Sequence, residues 1–544
     1  MKNLSLGIIL FFSFLASQAQ QVSFNKPVES SSIIIQFDTE EGLEKLRSLK
    51  YGWISGFEVV YQPYHIYKAN IQGDINKHLT QILSLPFVAG AQPNRPLERR
   101  ALTPDDSLYE NQWNMKRILM DSVWGITSGG PTTLGDTVVI AIIDAGFDTT
   151  HPDFGNNLWI NKDEKPGSLV DNDSNGYAGD YLGWNTYADK GTIIDSIEFA
   201  THGMSVTGVI GAVGNNEIGI AGISWKNKFL AIIGGGDEAN AIKSYGYVLT
   251  QKKRYLETNG QHGAYIVSVN SSWGKSGMFA LDAPIWCALY DSMGKYGILN
   301  ATSVSNSKTN LDNAGDLPTL CPSDYTITVT NTNSLEDLHG GFGKLNVDLG
   351  APGSSILTTG SYIEQKYKYS TGTSLAAPHV AAVIGILYSA ACDSFIEYAH
   401  QYPDSAALWV KYFIMNSVDT FAQLSGNTVS GGRLNAYKAL LLLNDWCDGT
   451  LNHVNDSVDS IPLLQFSIFP NPGQNSFVIK GEIDRIGTIQ VVDFAGKTVI
   501  IQKLNSNSQS NELTIQTNFV QGIYIVRILD KNNKIILKQL WSKM

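Results

Sequence analysis

The sequence predicts an α/β protein whose main part is a mostly parallel, doubly wound sheet, with a small ferredoxin-like α+β unit before it and a β-sandwich after it. Three observations support this prediction. Apolar strand runs alternate with helices rich in small residues between residues 113 and 447, residues 31–92 follow the order β-α-β-β-α-β, and short strands and turns begin at residue 466. A chain of 544 residues is also too long for one ordinary domain.

The first 19 residues have the pattern of a secretory signal peptide. Lys2 precedes an apolar stretch, and Ser17-Gln18-Ala19 supplies a small-x-small cleavage site. A buried helix is the alternative. No later segment has 18 uninterrupted apolar residues, so we expect no transmembrane segment in the mature protein. A net charge of -11 without a basic tract argues against a nucleic-acid partner.

The ferredoxin-like unit is predicted within residues 20–100. Its strands are SIIIQF, GFEVVYQ, HIYKANI and FVAGAQ, and its helices are EEGLEKLRSLK and INKHLTQILSL. A polar, Pro-containing connector follows, in which Arg99-Arg100 is a candidate site for proteolytic nicking.

The parallel-sheet domain is predicted over residues 101–447. Its strands include TVVIAIID, AYIVSVNSSW and DYTITVTNT. The chain has four cysteines, which can pair in an exported protein in three ways. Cys287–Cys321 and Cys392–Cys447 are favoured because each pair encloses one compact stretch, and free thiols are the alternative.

The C-terminal part begins with a polar, acidic linker over residues 448–465. Residues 466–544 then contain short strands separated by turns, with no segment of helical pattern. This pattern of short strands and turns predicts a small β-sandwich.

Three residues far apart in the chain are candidates for one catalytic set. Asp144 directly follows the apolar strand VVIAII, at the end of a strand where open α/β sheets keep their sites. His202 is expected at the start of a helix in ATHGMSVTGVIGAVG. Ser374 lies at the start of the apolar helix in STGTSLAAPHVAAVIGIL, where backbone N–H groups stabilise negative charge. Taken singly, each residue is more often a cap, turn or core residue.

Together these motifs resemble those of the subtilisin-type serine peptidases, the subtilases. The matching stretches are IIDAGFDTTHPDF, THGMSVTGVIGAVGNNEIGIAGISW and STGTSLAAPHVAAVIG, with APGSSI and GGRLNAYKAL in support. The order Asp, His, Ser is also that of subtilisin. The resemblance implies a subtilisin-like fold in which Ser374 attacks a peptide carbonyl, His202 takes its proton and Asp144 orients the imidazole. Ala145 and Met204 depart from the residues usual in the family.

The resemblance also assigns the residues around the nucleophile. Subtilases use an Asn that ends an A-A-G-N run as an oxyanion donor, and Asn306 matches it by strand end, although Ser303-Val304-Ser305 replace Ala-Ala-Gly and Asn300 and Asn310 lie nearby. Ser272-Trp273-Gly274 resembles the segment that pairs with a bound peptide and borders its first specificity pocket; a buried tryptophan is the alternative for Trp273.

A calcium loop is suggested by DNDSNGYAGD, which resembles the start of an EF-hand loop. The expected ligands of a structural Ca²⁺ are Asp171, Asp173, Asn175 and Asp180. The closing Glu of an EF-hand is replaced by Leu182, and the alternative is a polar surface loop.

The two flanking units resemble domains that accompany subtilases. Residues 20–100 resemble the inhibitory propeptide, which implies removal near Arg100-Ala101. The pieces FSIFPNPG, VVDFAGKTV and QGIYIVRI resemble the sorting domain of type IX secretion in Bacteroidota. The sequence therefore predicts a secreted or surface-located serine endopeptidase with protein or peptide substrates, whose partners are its own propeptide and the type IX machinery. The alternatives are a catalytically silent binding protein on the same scaffold and an esterase.

Overall fold

A computed structural model of the chain describes residues 32–94, 101–193, 197–361 and 365–450, and parts of the C-terminal domain: 466–469, 476–481, 483, 486–492, 498–504, 512–520, 522–531 and 535–543. The predicted signal peptide, Arg99-Arg100 and residues 451–465 of the predicted linker lie outside the described residues. The chain divides into two compact units, Met1–Arg99 and Arg100–Met544.

The first unit has the predicted β-α-β-β-α-β order. Its strands form an antiparallel sheet in the order β2-β3-β1-β4, and apolar residues that alternate along β1, such as Ile33 and Ile35, pack with the helices. The carboxylate of Asp74 caps the second helix. The elements are β1 (Ser32–Phe37), α1 (Gly42–Ser48), β2 (Ile54–Tyr61), β3 (Ile66–Ile71), α2 (Ile75–Leu83) and β4 (Val88–Pro93).

The second unit contains the parallel-sheet domain. Its helices are α3 (Trp113–Arg117), α4 (Met120–Trp124), α5 (Ile197–Gly211), α6 (Glu238–Glu257), α7 (Pro284–Gly294), α8 (Leu311–Ala314), α9 (Thr373–Ala390), α10 (Asp393–Gln401), α11 (Pro403–Met415) and α12 (Ala436–Cys447). Its strands are β5 (Val138–Asp144), β6 (Gly183–Asn185), β7 (Lys228–Ile233), β8 (Tyr265–Ser271), β9 (Lys275–Ser276), β10 (Leu299–Ser303), β11 (Asp316–Leu317), β12 (Thr326–Thr332), β13 (Leu349–Pro352), β14 (Ile356–Thr359), β15 (Tyr367–Ser370), β16 (Asp419–Thr420) and β17 (Gly432–Arg433).

Nine of these strands form one sheet in the order β16-β17-β13-β12-β10-β8-β5-β7-β6. All neighbouring pairs are parallel except β16 with β17. Following the chain from β5, the next strands, β6 and β7, lie on one side of β5, and β8 and β10 then lie on its other side. The end of β5 is therefore the switch point of a doubly wound sheet, where such folds keep their sites. The predicted fold class is confirmed.

The sheet is buried on both faces because the apolar residues of its central strand point alternately to two cores. Val138, Ile140 and Ile142 belong to one core cluster, which includes residues of α5 and α9. Val139, Ala141 and Ile143 belong to the other, which includes residues of α6 and α7. A strand buried on both faces reads as a continuous apolar run, which is the pattern of VVIAII.

Helix α9 is the only one in the described part of the chain that is long and apolar enough to cross a membrane. Residues 373–390 are 83% buried inside the protein, where α9 packs against β8, β10 and β12. Its apolar character is thus explained by its place in the core of the parallel-sheet domain.

Both predicted disulfides are confirmed. Cys287–Cys321 joins α7 to the segment after β11, and Cys392–Cys447 joins the start of α10 to the end of α12. They close loops with sequence separations of 34 and 55 residues.

The C-terminal domain has two antiparallel sheets, β18-β19-β22 and β21-β20-β23-β24. Buried residues of β19 and β22 share one apolar cluster with residues of β20 and β23, as expected for a sandwich. The strands are β18 (Phe466–Phe469), β19 (Ser476–Gly481), β20 (Ile486–Val492), β21 (Thr498–Lys503), β22 (Glu512–Gln516), β23 (Gly522–Asp530) and β24 (Ile535–Lys543).

Candidate active site

Asp144 is the last residue of β5, at the switch point of the sheet. Its side chain is only 2% exposed, and its Oδ1 accepts a hydrogen bond of 2.7 Å from the backbone N–H of Ala145. A buried carboxylate of this kind requires further donors, because burial without partners destabilises a charge.

His202 supplies that partner. Its Nδ1 lies 2.8 Å from Oδ1 and 3.0 Å from Oδ2 of Asp144. Nδ1 therefore donates, since an ionised carboxylate only accepts, and Nε2 is left to accept a proton. The negative charge of Asp144 raises the pKa of His202 above its ordinary value, while burial of the ring and the charge of Lys368 act in the opposite direction.

The close approach of α5 to β5 depends on a glycine. A Cβ placed on Gly203 would lie 2.2 Å from the backbone oxygen of Gly146 and 3.3 Å from Cβ of Asp144. Any larger residue would push the helix away from the strand end. The helix itself begins at Ile197, so His202 lies in its second turn and not at its start as expected.

Ser374 is the second residue of α9, as predicted, and is 9% exposed. Pro378 lies four residues later and has no N–H to donate to the Ser374 carbonyl. The hydroxyl of Ser272 donates to this carbonyl instead, at 2.8 Å, and accepts at 2.9 Å from Asn270 Nδ2. A side chain from the end of β8 thus supplies the donor that Pro378 lacks.

Asn306 is held beside the nucleophile by α9. Its Oδ1 accepts from the backbone N–H of Thr373 at 2.8 Å and from Thr373 Oγ1 at 3.0 Å. The backbone N–H can only donate, so this contact identifies the amide oxygen and leaves Nδ2 as the free donor. A Cβ on Gly372 would lie 3.1 Å from Ser374 Oγ and 3.3 Å from Asn306 Oδ1, so both side chains flank the same glycine.

His202, Ser374 and Asn306 line one cleft of about 320 Å³. Among the hydrogen bonds of the described residues, none joins the Ser374 hydroxyl directly to the imidazole. Ser272, Trp273 and Gly274, the predicted peptide-binding segment, line the same cleft. Five of the residues put forward for catalysis and peptide binding, together with the proposed oxyanion donor, therefore line one cleft.

A second cleft of about 440 Å³ lies on the Asp144 side of His202. Trp273 borders it and donates from Nε1 to the Ile143 carbonyl at 3.0 Å, so this tryptophan is partly buried yet lines both clefts. Tyr187 and the run Gly234–Gly236 also line it. No motif in the sequence pointed to these residues.

His379, which follows Pro378 in the nucleophile motif, is a core residue. It is fully buried, with Nδ1 2.8 Å from the Leu375 carbonyl and Nε2 2.8 Å from Asn114 Nδ2. Burial lowers its pKa to about 4, so it stays neutral near pH 7.

The acidic loop gathers three carboxylates. Ligand oxygens of Glu164, Asp173 and Asp180 lie within 4.8 Å of one another. Glu164 is 3% exposed, and no hydrogen-bond partner of its Oε2 is found among the described residues. Burial raises the pKa of Asp180 to about 6. An orphaned buried oxygen beside two further carboxylates fits a hard cation such as Ca²⁺.

Of the four expected Ca²⁺ ligands, only Asp173 and Asp180 belong to this group of carboxylates. Asn175 uses its Oδ1 to accept from Tyr177 N–H and directs Nδ2 to Asp173 and Asp180. Asp171 accepts from the backbone N–H groups of Asn175 and Gly176, which closes the turn of the loop. Both residues therefore shape the loop, and the third carboxylate is Glu164, which lies before the motif and was missed.

Asp106 and Asp153 are two further buried carboxylates. Burial raises the pKa of Asp153 to about 7. Asp106 accepts from Asn215 N–H and Asp153 from Ile220 N–H, so both carboxylates hold the loop after α5.

Comparison with known proteins is consistent with this geometry. Residues 135–437 match the model of the subtilase family, and residues 467–541 match the secretion system C-terminal sorting domain. The first match covers more than half of the 544 residues. A C-terminal domain of the second kind directs the chain to secretion, into the extracellular space or onto the cell surface.

Individual relatives are more distant. Subtilisin-like protease 1 of Plasmodium berghei is 26% identical over 312 residues, which are 52% of this chain and 47% of the relative. Thermitase of Thermoactinomyces vulgaris is 26% identical over 344 residues, which are 62% of this chain and 99% of thermitase. A protease structure from Pseudoalteromonas arctica aligns with a TM-score of 0.46 at 19% identity, covering 62% of this chain and 99% of that one. The chain spans about half the length of the first curated relatives it matches.

We predict that Asp144→Asn lowers the pKa of His202. The substitution removes the charge that raises this pKa, whereas burial of the ring continues to lower it. NMR titration of labelled histidines in a Ser374→Ala background measures the shift. Asp163→Asn is the matched control, because Asp163 contacts the exposed His262 and not His202. A His202 titration that is the same in Asp144→Asn and in the parent would contradict the prediction.

Proposed function

This chain belongs to the subtilase family, and from that premise we propose that it is a serine endopeptidase that hydrolyses peptide bonds through an acyl-enzyme intermediate. The observation that carries the proposal is that His202, which contacts Asp144, lines the same cleft as Ser374. Such a base beside a serine at a helix N-terminus is the arrangement that nucleophilic acyl transfer requires.

In the proposed reaction, Ser374 Oγ attacks the substrate carbonyl carbon while His202 Nε2 takes the hydroxyl proton. Asp144 fixes the tautomer and stabilises the imidazolium. His202 then gives the proton to the leaving amine as the C–N bond breaks, which leaves an ester on Ser374. A water molecule, deprotonated by His202, hydrolyses this ester and restores the serine.

The oxyanion is proposed to bind between two donors. One is the backbone N–H of Ser374, for which no hydrogen bond to another described residue is found. The other is Nδ2 of Asn306, which is set in place because Thr373 holds the amide oxygen. Because these donors are already in position before the reaction, they need not reorient as negative charge develops on the substrate oxygen.

We further propose that the chain is made as a precursor. Residues 1–19 would act as signal peptide, residues 20–100 as an inhibitory propeptide, residues 101–447 as the catalytic domain, and residues 448–465 as a linker to the sorting domain of residues 466–544. The compact first unit, which ends at Arg99, supports this division. The propeptide and the type IX machinery would then be partners of the chain, with proteins or peptides as substrates.

A structural Ca²⁺ is proposed at Glu164, Asp173 and Asp180. A bound cation would offset the repulsion among three carboxylates and so stabilise the loop between β5 and α5. Arg254, whose guanidinium lies 3.5 Å from Asp173 Oδ2, compensates only part of this charge. The ion would have no part in the chemistry.

The proposed function predicts that a fluorophosphonate probe labels the mature protein at Ser374 and that the protein hydrolyses casein. Labelling and hydrolysis should both vanish in Ser374→Ala. Mature protein that gives neither would contradict the proposal and favour a silent binding scaffold. Hydrolysis of short esters without hydrolysis of peptides would indicate an esterase.

Asn306→Ala should lower kcat by about 10²- to 10³-fold with little change in KM, because the lost donor acts on the transition state. Asn310→Ala is the matched control. Asn310 lies in the same loop and caps α8 through a hydrogen bond from Asp312 N–H, and it does not line the cleft. Equal losses of kcat in the two variants would show that Asn306 acts only through the fold of the loop.

Calcium should raise the thermal unfolding temperature of the Ser374→Ala protein relative to the same protein in EGTA. At a concentration 100 times the Kd, binding contributes about 3 kcal/mol. Glu164→Gln should lower the number of bound calcium ions by one and reduce the shift, whereas Glu257→Gln, at the end of α6, should do neither. An unchanged ion count in Glu164→Gln would contradict the assignment.

A further inference from the structure

The cleft beside Ser374 carries one ionisable residue, apart from His202, that the proposed chemistry does not use. Most of its lining is hydroxyl, amide or backbone, and Asp316 is the one carboxylate among the lining residues. Asp316 belongs to β11, which pairs with β9, and β9 directly follows the peptide-binding segment Ser272–Gly274. The carboxylate therefore lies on a strand that is fixed beside the predicted peptide-binding segment.

The two oxygens of Asp316 have different surroundings. Oδ2 accepts from Thr319 Oγ1 at 2.6 Å and from the backbone N–H of Ser305 at 3.2 Å. Oδ1 has only the hydroxyl of Ser276, at 3.3 Å. That hydroxyl also lies 3.0 Å from Ser305 Oγ, and its single proton cannot serve both acceptors. Oδ1 thus keeps acceptor capacity on the side of the exposed Ser276.

Among the residues that the structure describes, no lysine or arginine forms an ion pair with Asp316, although it is only 2% exposed. Burial raises the pKa of Asp316 above its ordinary value. A cation brought into the cleft would remove the penalty, since a buried charge is costly chiefly when it is unpaired.

We propose that Asp316 is a specificity-determining residue that selects a lysine or arginine side chain at the substrate residue on the acyl side of the cleaved bond. This inference rests on the proposed endopeptidase function. The long aliphatic stem of either side chain would lie along the cleft, and its charged end would donate to Oδ1 of Asp316. The chain's own sequence contains such a bond, Arg100–Ala101, within its connector.

The test compares two series of peptides that differ only at the residue before the cleaved bond, with Arg or Lys in one and Leu or Phe in the other. One further peptide carries this chain's own sequence PLERRALTP. For the mature protein, kcat/KM should be higher for the basic series by about 10- to 100-fold. Asp316→Asn should abolish this preference by lowering kcat/KM for the basic series, and it should leave kcat/KM for the apolar series nearly unchanged.

Two further variants separate selection from structure. Asp312→Asn is the matched control, because Asp312 accepts from Leu345 N–H and Asn346 Nδ2 near the cleft without lining it. It should keep the preference. Ser276→Lys keeps the carboxylate of Asp316 but places a cation beside it, at an exposed position. This variant should also abolish the preference for basic residues. It tests the proposal even if Asp316→Asn does not fold.

Each outcome decides between the proposals. A mature protein that cleaves the apolar series better than the basic one would overturn the role of Asp316 and leave the endopeptidase function intact. Equal losses on both series in Asp316→Asn, with the preference retained in Ser276→Lys, would show that Asp316 only supports the Ser305 turn. A protein that cleaves no peptide and takes no fluorophosphonate label would overturn the proposed function itself.

Discussion

The site depends on how closely one helix can approach the end of one strand. Asp144 ends the central strand of the sheet, and His202 reaches it only because Gly203 lets α5 pack against Gly146 without an intervening side chain. The switch point of the sheet leaves that strand end uncovered. A buried carboxylate there needs a partner, and the imidazole of His202 is that partner. The charge of Asp144 in turn raises the pKa of the imidazole.

The nucleophile is supported by the two residues before it and by two other parts of the chain. The hydroxyl of Ser272 donates to the Ser374 carbonyl, for which Pro378 has no N–H. The backbone N–H of Thr373 holds the amide oxygen of Asn306, and Gly372 leaves room for the side chains of Asn306 and Ser374. These contacts connect the ends of β8 and β10 to the start of α9. Changes in any of these segments should therefore alter the position of Ser374.

The surroundings of the site are held by contacts of a different kind. The Cys287–Cys321 disulfide anchors the segment that follows Asp316, and the carboxylates of Glu164, Asp173 and Asp180 lie together in the loop between Asp144 and His202. The disulfide suits a protein that is exported, because cysteines oxidise outside the cell. The C-terminal sandwich, matched to a sorting domain, is consistent with the same destination.

The sequence by itself predicted the fold class, favoured the two disulfide pairs and put Asp144, His202 and Ser374 forward as one candidate catalytic set. The three candidates were found through local patterns: an apolar run before Asp144, small residues around His202, and small polar residues followed by an apolar helix at Ser374. The tertiary structure alone decided that Glu164 joins the acidic loop, that Ser272 bonds to the Ser374 carbonyl, that Thr373 orients Asn306, and that Asp316 lines the cleft. These are contacts between segments that are separate in the chain, and their distances are set by the packing of strands and helices rather than by neighbouring residues.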